Sequence, residues 1–182
     1  PANVRRVGVR FEPLTPYTER ELNRVIRQHL RAQRSGEAPA PQVPVVSVPR
    51  ECRNARGQAI AIMDDHLVQL TDPNCPVIIV SPGFEQTASD YLALGYYLAE
   101  HQFRILRYDP TNHLGNSEGE LQQTTLRSMQ HDLELVIEFV RHTWPQAPIV
   151  VMASDLAARA ALKAAARTRP LDLLLLINPA ID

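Results

Sequence analysis

Cysteine is scarce: Cys52 and Cys75 are the only two in 182 residues. Their spacing does not match a metal site, and no histidine cluster accompanies them. Neither a structural metal nor a disulfide framework is expected, and two free thiols suit a reducing, cytoplasmic setting. No apolar run approaches the ~20 residues of a membrane-spanning helix, so no span is expected. The N-terminus lacks a signal-peptide layout. It begins Pro-Ala-Asn without Met, which reads as a piece of something longer. Charge of one sign is not in excess. The formal net charge is -1, which gives no electrostatic case for nucleic acid as a partner. No internal repeat is visible, and nothing calls for a cofactor.

What is present suffices for one core plus a small appendage: 45% hydrophobic and 21% charged residues. Residues 4–11 alternate as a strand, with Val7, Val9 and Phe11 on one face. Thr18 and Glu21 form a capping-box pattern ahead of Leu22, Val25, Ile26 and Leu30 at helical spacing. This strand-helix segment, residues 1–34, carries Arg5, Arg6, Arg10, Arg20, Arg24, Arg27, Arg31 and Arg34. Such a basic segment suits a solvated face, or else a phosphate or an acidic partner. A Pro-rich linker follows at residues 35–44, and the main domain is expected at 45–182.

In that domain the pattern predicts strands at 45–48, 59–63, 77–80, 103–108, 148–152 and 171–177. It predicts helices at 90–101, 126–142 and 156–167. The alternation implies an α/β fold with a largely parallel sheet covered by helices on both faces.

Ligands of such sheets bind beyond the carboxyl ends of the strands. Three segments lie there. Ser81-Pro82-Gly83-Phe84 offers a sharp turn in which a backbone N–H can point at a developing oxyanion. A plain strand-to-helix turn reads equally well. Asp109 heads a polar loop through Gly119; it is expected to tie that loop by hydrogen bonds, with His113 in a structural role. Ala153-Ser154-Asp155-Leu156-Ala157 has the small-x-nucleophile-x-small form of a nucleophile elbow. Asp155 occupies the nucleophile's place, and the Leu156 N–H can complete an oxyanion hole. Three readings stay open: Asp155 attacks, Asp155 only caps the following helix, or a shifted frame makes Ser154 the nucleophile.

Together, Ser81-Pro82-Gly83-Phe84, then Arg107-Tyr108-Asp109 with His113-Leu114-Gly115-Asn116-Ser117-Glu118-Gly119, then Ala153-Ser154-Asp155-Leu156-Ala157-Ala158-Arg159, resemble the fatty acyl transferases of bacterial luminescence. These are acyl-carrier-protein thioesterases of the α/β-hydrolase superfamily. The resemblance covers roughly residues 52–182. It implies the N-terminal half of an α/β-hydrolase fold and acyl transfer or hydrolysis of an ester or thioester. Phe84 and Leu156 would supply the oxyanion hole, with Gly83, Asp109 and His113 in support. A small acyl substrate is implied, with an acyl carrier protein as a further partner. That family has serine where Asp155 stands; an elbow aspartate is similar to haloalkane dehalogenases and epoxide hydrolases.

In these folds the triad runs nucleophile, acid, histidine. No histidine follows Asp155 in this sequence. The expectation is therefore either part of a longer enzyme or a non-catalytic regulatory or scaffolding module. Val7-Gly8-Val9-Arg10-Phe11 and the helix after it resemble the last strand and helix of PilZ domains, which bind cyclic dinucleotides. The ligand motifs of that family are absent.

Overall fold

The computed structural model describes residues 44–180. The expected N-terminal strand and helix, their PilZ likeness and residues 35–43 of the linker lie outside the described residues. Six strands form one sheet: β1 (Val45–Arg53), β2 (Ala59–Leu67), β3 (Val77–Ser81), β4 (Arg104–Tyr108), β5 (Ile149–Ser154) and β6 (Leu173–Ile177). Their spatial order is β1-β2-β4-β3-β5-β6. β4, β3, β5 and β6 are parallel, whereas β2 runs antiparallel to β4 and pairs with β1 in an antiparallel hairpin. The helices are α1 (Leu92–Glu100), α2 (Leu126–Thr143) and α3 (Ala157–Ala165), with a 3-10 turn at Ala88–Tyr91 leading into α1.

Every residue of β3 is buried, as a strand flanked by parallel neighbours and covered on both faces requires. Val77 and Ile79 pack with α2 and α3, in a core holding Leu106, Tyr108, Met129, Leu133, Val136, Ile137 and Val140. The α2 residues recur at i, i+4, i+7, i+8 and i+11, one stripe of a 3.6-residue helix. A reciprocal Thr125–Ser128 capping box starts that helix. α3 buries Ala157, Ala160, Ala161 and Ala164, side chains small enough for close approach to its neighbours. Among the described residues no helix is long and apolar enough to cross a membrane.

β1 and β2 run furthest beyond the apolar pattern, by five and four residues. β1 continues through Pro49 because, among the described residues, it is an edge strand, where a missing N–H costs least. β2 continues through Asp64 and Asp65, which are fully buried yet ionically paired. Successive strand residues face opposite ways. Asp64 meets Arg104 (2.8 Å) and Arg50 (2.9 Å), whose guanidinium groups stand 4.4 and 5.7 Å from the Trp144 ring centre. Asp65 takes a two-pronged bond from Arg107, Nε at 2.5 Å and Nη2 at 3.0 Å. The third prong, Nη1, donates to the Ala88 carbonyl at 2.6 Å.

Removing one member of a buried pair leaves a desolvated charge, at a cost of about 3–5 kcal/mol. Arg107→Met is expected to destabilise the fold by that amount in urea titration. A midpoint within experimental error of wild type would mean the pair does not hold β2 to β4.

Candidate active site

The chain leaves β3 for β4 on one side and returns to β5 on the other, so the switch in strand order lies at β3 and β5. Ligands of open α/β sheets bind there, beyond the carboxyl ends. The turn after β3 and the elbow after β5 are in contact. A Cβ built on Gly83 would lie 2.6 Å from Gln86 Oε1, 3.2 Å from Ser154 Oγ and 3.3 Å from Asp155 Cβ. A side chain at residue 83 would displace the Gln86 carboxamide and crowd Ser154 and Asp155.

The turn's amides have distinct fates. Gly83 N–H donates to Gln86 Oε1 at 2.9 Å, Glu85 N–H to His113 Nε2 at 3.2 Å, and Gln86 N–H to the Gly83 carbonyl at 3.1 Å. Within the described residues the Phe84 amide donates to no protein group. Glu85 has a φ of +64°, a region uncommon for residues with a side chain. Phe84 is 42% exposed and meets the His113 ring edge-on, at 5.6 Å between centroids.

Gln86 Oε1 is also the acceptor for Tyr91 O–H at 2.6 Å and Ser154 O–H at 3.1 Å, and the two hydroxyls lie 2.5 Å apart. Ser154 is thus tied into a three-residue polar knot against the turn. Gln86 and Tyr91 were not foreseen from sequence. Gln86 follows the Gly83 turn closely, but nothing local marks Tyr91, whose role exists only once α1 packs on the sheet.

The loop after β4 hangs on Asp109, which is 2% exposed. Its Oδ1 accepts the Ala88 N–H (2.7 Å) and its Oδ2 the Asn116 N–H (2.8 Å). Its carbonyl accepts the Ser117 hydroxyl at 2.5 Å. Asp132 of α2, 1% exposed, accepts the Thr111 amide and hydroxyl at 2.7 and 2.8 Å; burial pushes its carboxyl pKa up. His113 is 7% exposed, and burial lowers its pKa.

At the elbow, β5 runs on to Ser154 and the chain turns at Asp155, whose φ is +50°. Asp155 N–H donates to the Ile177 carbonyl at 3.1 Å, and its own carbonyl accepts from Ala158 and Ala180. Ala153 and Ala157 on either side are 1% and 0% exposed. The Asp155 carboxylate is exposed and makes no hydrogen bond among the described residues. The helix-cap reading of Asp155 is therefore corrected: α3 takes Leu156 as its N-cap, with no side-chain cap bond. The Leu156 amide, like that of Phe84, donates to no described group.

A separate cavity of about 640 Å³ is lined by Asn54, Gln58, Thr111, Asn112, His131 and Asp132, and by none of the elbow or turn residues. Among the described residues no cluster of His, Cys, Asp and Glu is placed to hold a metal.

This strand order, with helices between parallel strands, is that of an α/β hydrolase fold. The chain belongs to the acyl transferase family, whose sequence profile matches residues 56–180. An acyl transferase of Photobacterium leiognathi is 36% identical over 89 residues, covering 49% of this chain and 28% of that protein. The chain spans about a third of the length of such curated relatives. The α/β hydrolase GrgF from Penicillium sp. sh18 is similar in fold, with a TM-score of 0.62 and 22% identity over 76% of this chain and 47% of that one. The thioesterase domain from the curacin biosynthetic pathway gives a TM-score of 0.60 and 17% identity, over 74% of this chain and 47% of that one.

Asp109→Ala would leave the buried Ala88 amide unpaired, at an expected cost of about 1–3 kcal/mol measurable by urea titration, and would release the Asn116 amide of the exposed loop. Faster hydrogen exchange should be confined to those two segments, and unchanged exchange there would contradict the role given to Asp109.

Proposed function

We propose that Asp155 is the nucleophile of an acyl transfer or hydrolysis on an ester or thioester, with the Phe84 and Leu156 amides as the oxyanion hole. One observation carries this reading: at the elbow the side chain left unbonded is that of Asp155, while Ser154 is committed to Tyr91 and Gln86. The amides support it, since the N–H groups of Gly83, Glu85 and Gln86 are all taken and that of Phe84 is not. The N-terminus of α3 adds a favourable field for negative charge at the same place.

The first step follows. An Asp155 carboxylate oxygen attacks the acyl carbonyl carbon, and the carbonyl π pair moves onto oxygen, where the two amides receive it. Collapse expels the thiolate or alkoxide with its bonding pair and leaves a mixed anhydride on Asp155. Water or another acceptor then attacks the anhydride and frees the carboxylate. A carboxylate, unlike a serine hydroxyl, needs no base to remove a proton before attacking. Delivery of the acyl group on an acyl carrier protein is the finer form of this proposal, motivated by family membership.

The test is intact-mass and peptide mass spectrometry of the chain after incubation with short and long acyl thioesters and p-nitrophenyl esters, with hydroxylamine added to trap an anhydride as a hydroxamate. Label is expected on Asp155. It should vanish in Asp155→Asn and persist in Ser154→Ala. Asparagine tolerates positive φ, and no cap bond is lost, so Asp155→Asn should change stability by about 0.5 kcal/mol or less. Label on Ser154 would overturn the assignment of the nucleophile. A folded protein that takes no label from any ester would favour a regulatory or scaffolding module instead.

A further inference from the structure

The bond from Glu85 to His113 fixes more than the ring's position. Nε2 receives the Glu85 N–H at 3.2 Å, so Nε2 carries a lone pair and the proton of the neutral ring sits on Nδ1. A ring in that state has no second lone pair with which to take a proton from substrate or water. His113 is therefore not placed as a general base, although it lies in a loop at the site. Its lone pair is spent on the backbone of the turn, one residue beyond the unbonded Phe84 amide. The same ring supports the Phe84 side chain edge-on. Glu85, at φ +64°, holds a backbone conformation that persists only where its surroundings enforce it.

We infer that the neutral ring of His113 is a positioning group for the turn after β3: by holding the Glu85 amide on Nε2 it leaves the Phe84 amide open toward the elbow. The catalytic consequence rests on the reading of Phe84 as an oxyanion donor; the hold on Glu85 does not.

Protonation must break this arrangement, because an imidazolium has N–H on both nitrogens and accepts nothing. The charged groups acting on the ring are the Asp109 carboxylate, from the loop after β4, and Glu85, from the turn after β3. Both favour the charged ring, as does the Leu114 backbone. Burial opposes them and is the larger influence, so the ring's pKa lies below its ordinary 6.5. The folded protein then binds this proton less readily than the unfolded chain does. Stability from this group is complete above pH 6.5 and is lost as pH falls from there through the lowered value. The turn should loosen over the same range.

The experiment is nitrogen-detected NMR of the chain, with His113→Gln and His113→Leu as variants. Long-range ring couplings should report the Nδ1–H tautomer at neutral pH. The Glu85 and Phe84 amide resonances should move together with the ring's own titration, at one midpoint. Glutamine retains an acceptor without titrating, so in His113→Gln the two amides should become independent of pH over that range. In His113→Leu they should resemble the acid form of wild type at every pH. An Nε2–H tautomer, or a Glu85 amide that stays flat while the ring titrates, would overturn the inference.

If His113→Leu does not fold, wild type and His113→Gln still decide. The rate of Asp155 labelling provides a second readout. Across the ring's own titration it should fall in wild type but not in His113→Gln, and should be lower on the order of 10²-fold in His113→Leu. No labelling of wild type with the NMR pattern intact would count against the acyl-transfer reading alone.

Discussion

The site depends on a charge pair that lies inside the sheet, between β2 and β4. Asp65 and Arg107 are 1% and 3% exposed, and Arg107 uses its remaining prong on the carbonyl of Ala88. The amide of Ala88 is taken by Asp109. One residue at the start of the 3-10 turn is thus gripped at its carbonyl by β4 and at its N–H by the residue that follows β4. That turn ends at Tyr91, whose hydroxyl reaches Gln86 and Ser154. A charge pair in the sheet is thereby mechanically continuous with the elbow. Gly95 gives the pair its room, since a Cβ there would lie 2.6 Å from Asp65 Oδ2 and 2.9 Å from Arg107 Nε. Buried pairs of this kind add little net stability over apolar residues, but this one ties β2, β4 and the 3-10 turn together through three prongs of Arg107. For a site built from three separate strand ends, such a tie is what is needed.

The same pair explains where sequence reading stopped. Apolar runs identify β3, β4, β5 and α2 because those elements meet the core through periodic side chains. The charged Asp64 and Asp65 look like the end of β2; only their arginine partners, some 40 positions downstream, make them strand residues. Pro49 looks like the end of β1 and is tolerated because, among the described residues, β1 has a single partner strand. The strand, sharp turn and helix around Asp155 are legible as a local frame of small residues. Whether Asp155 caps that helix is not, since the outcome depends on where its carboxylate points. Tyr91 carries no local signal: its knot with Gln86 and Ser154 forms from residues that only the packed sheet brings together.

Aspartate in place of serine changes what the surroundings must supply. When a serine attacks with the help of a histidine, the neutral pair becomes an oxyanion beside an imidazolium, and the two new charges stabilise each other. When a carboxylate attacks, the site carries one negative charge before and after, and that charge moves from the carboxylate onto the carbonyl oxygen. No new cation appears beside it. In the proposed reaction, stabilisation of the transition state therefore falls more heavily on fixed dipoles: the Phe84 and Leu156 amides and the first turn of α3. Fixed dipoles help only if they are already aimed, because reorienting them during the reaction consumes the benefit. The backbone around Phe84 is held on one side by Gln86 through Gly83 and on the other by His113 through Glu85. A turn pinned at both neighbours, with its middle amide unbonded among the described residues, is what the proposed carboxylate nucleophile would require of an oxyanion hole.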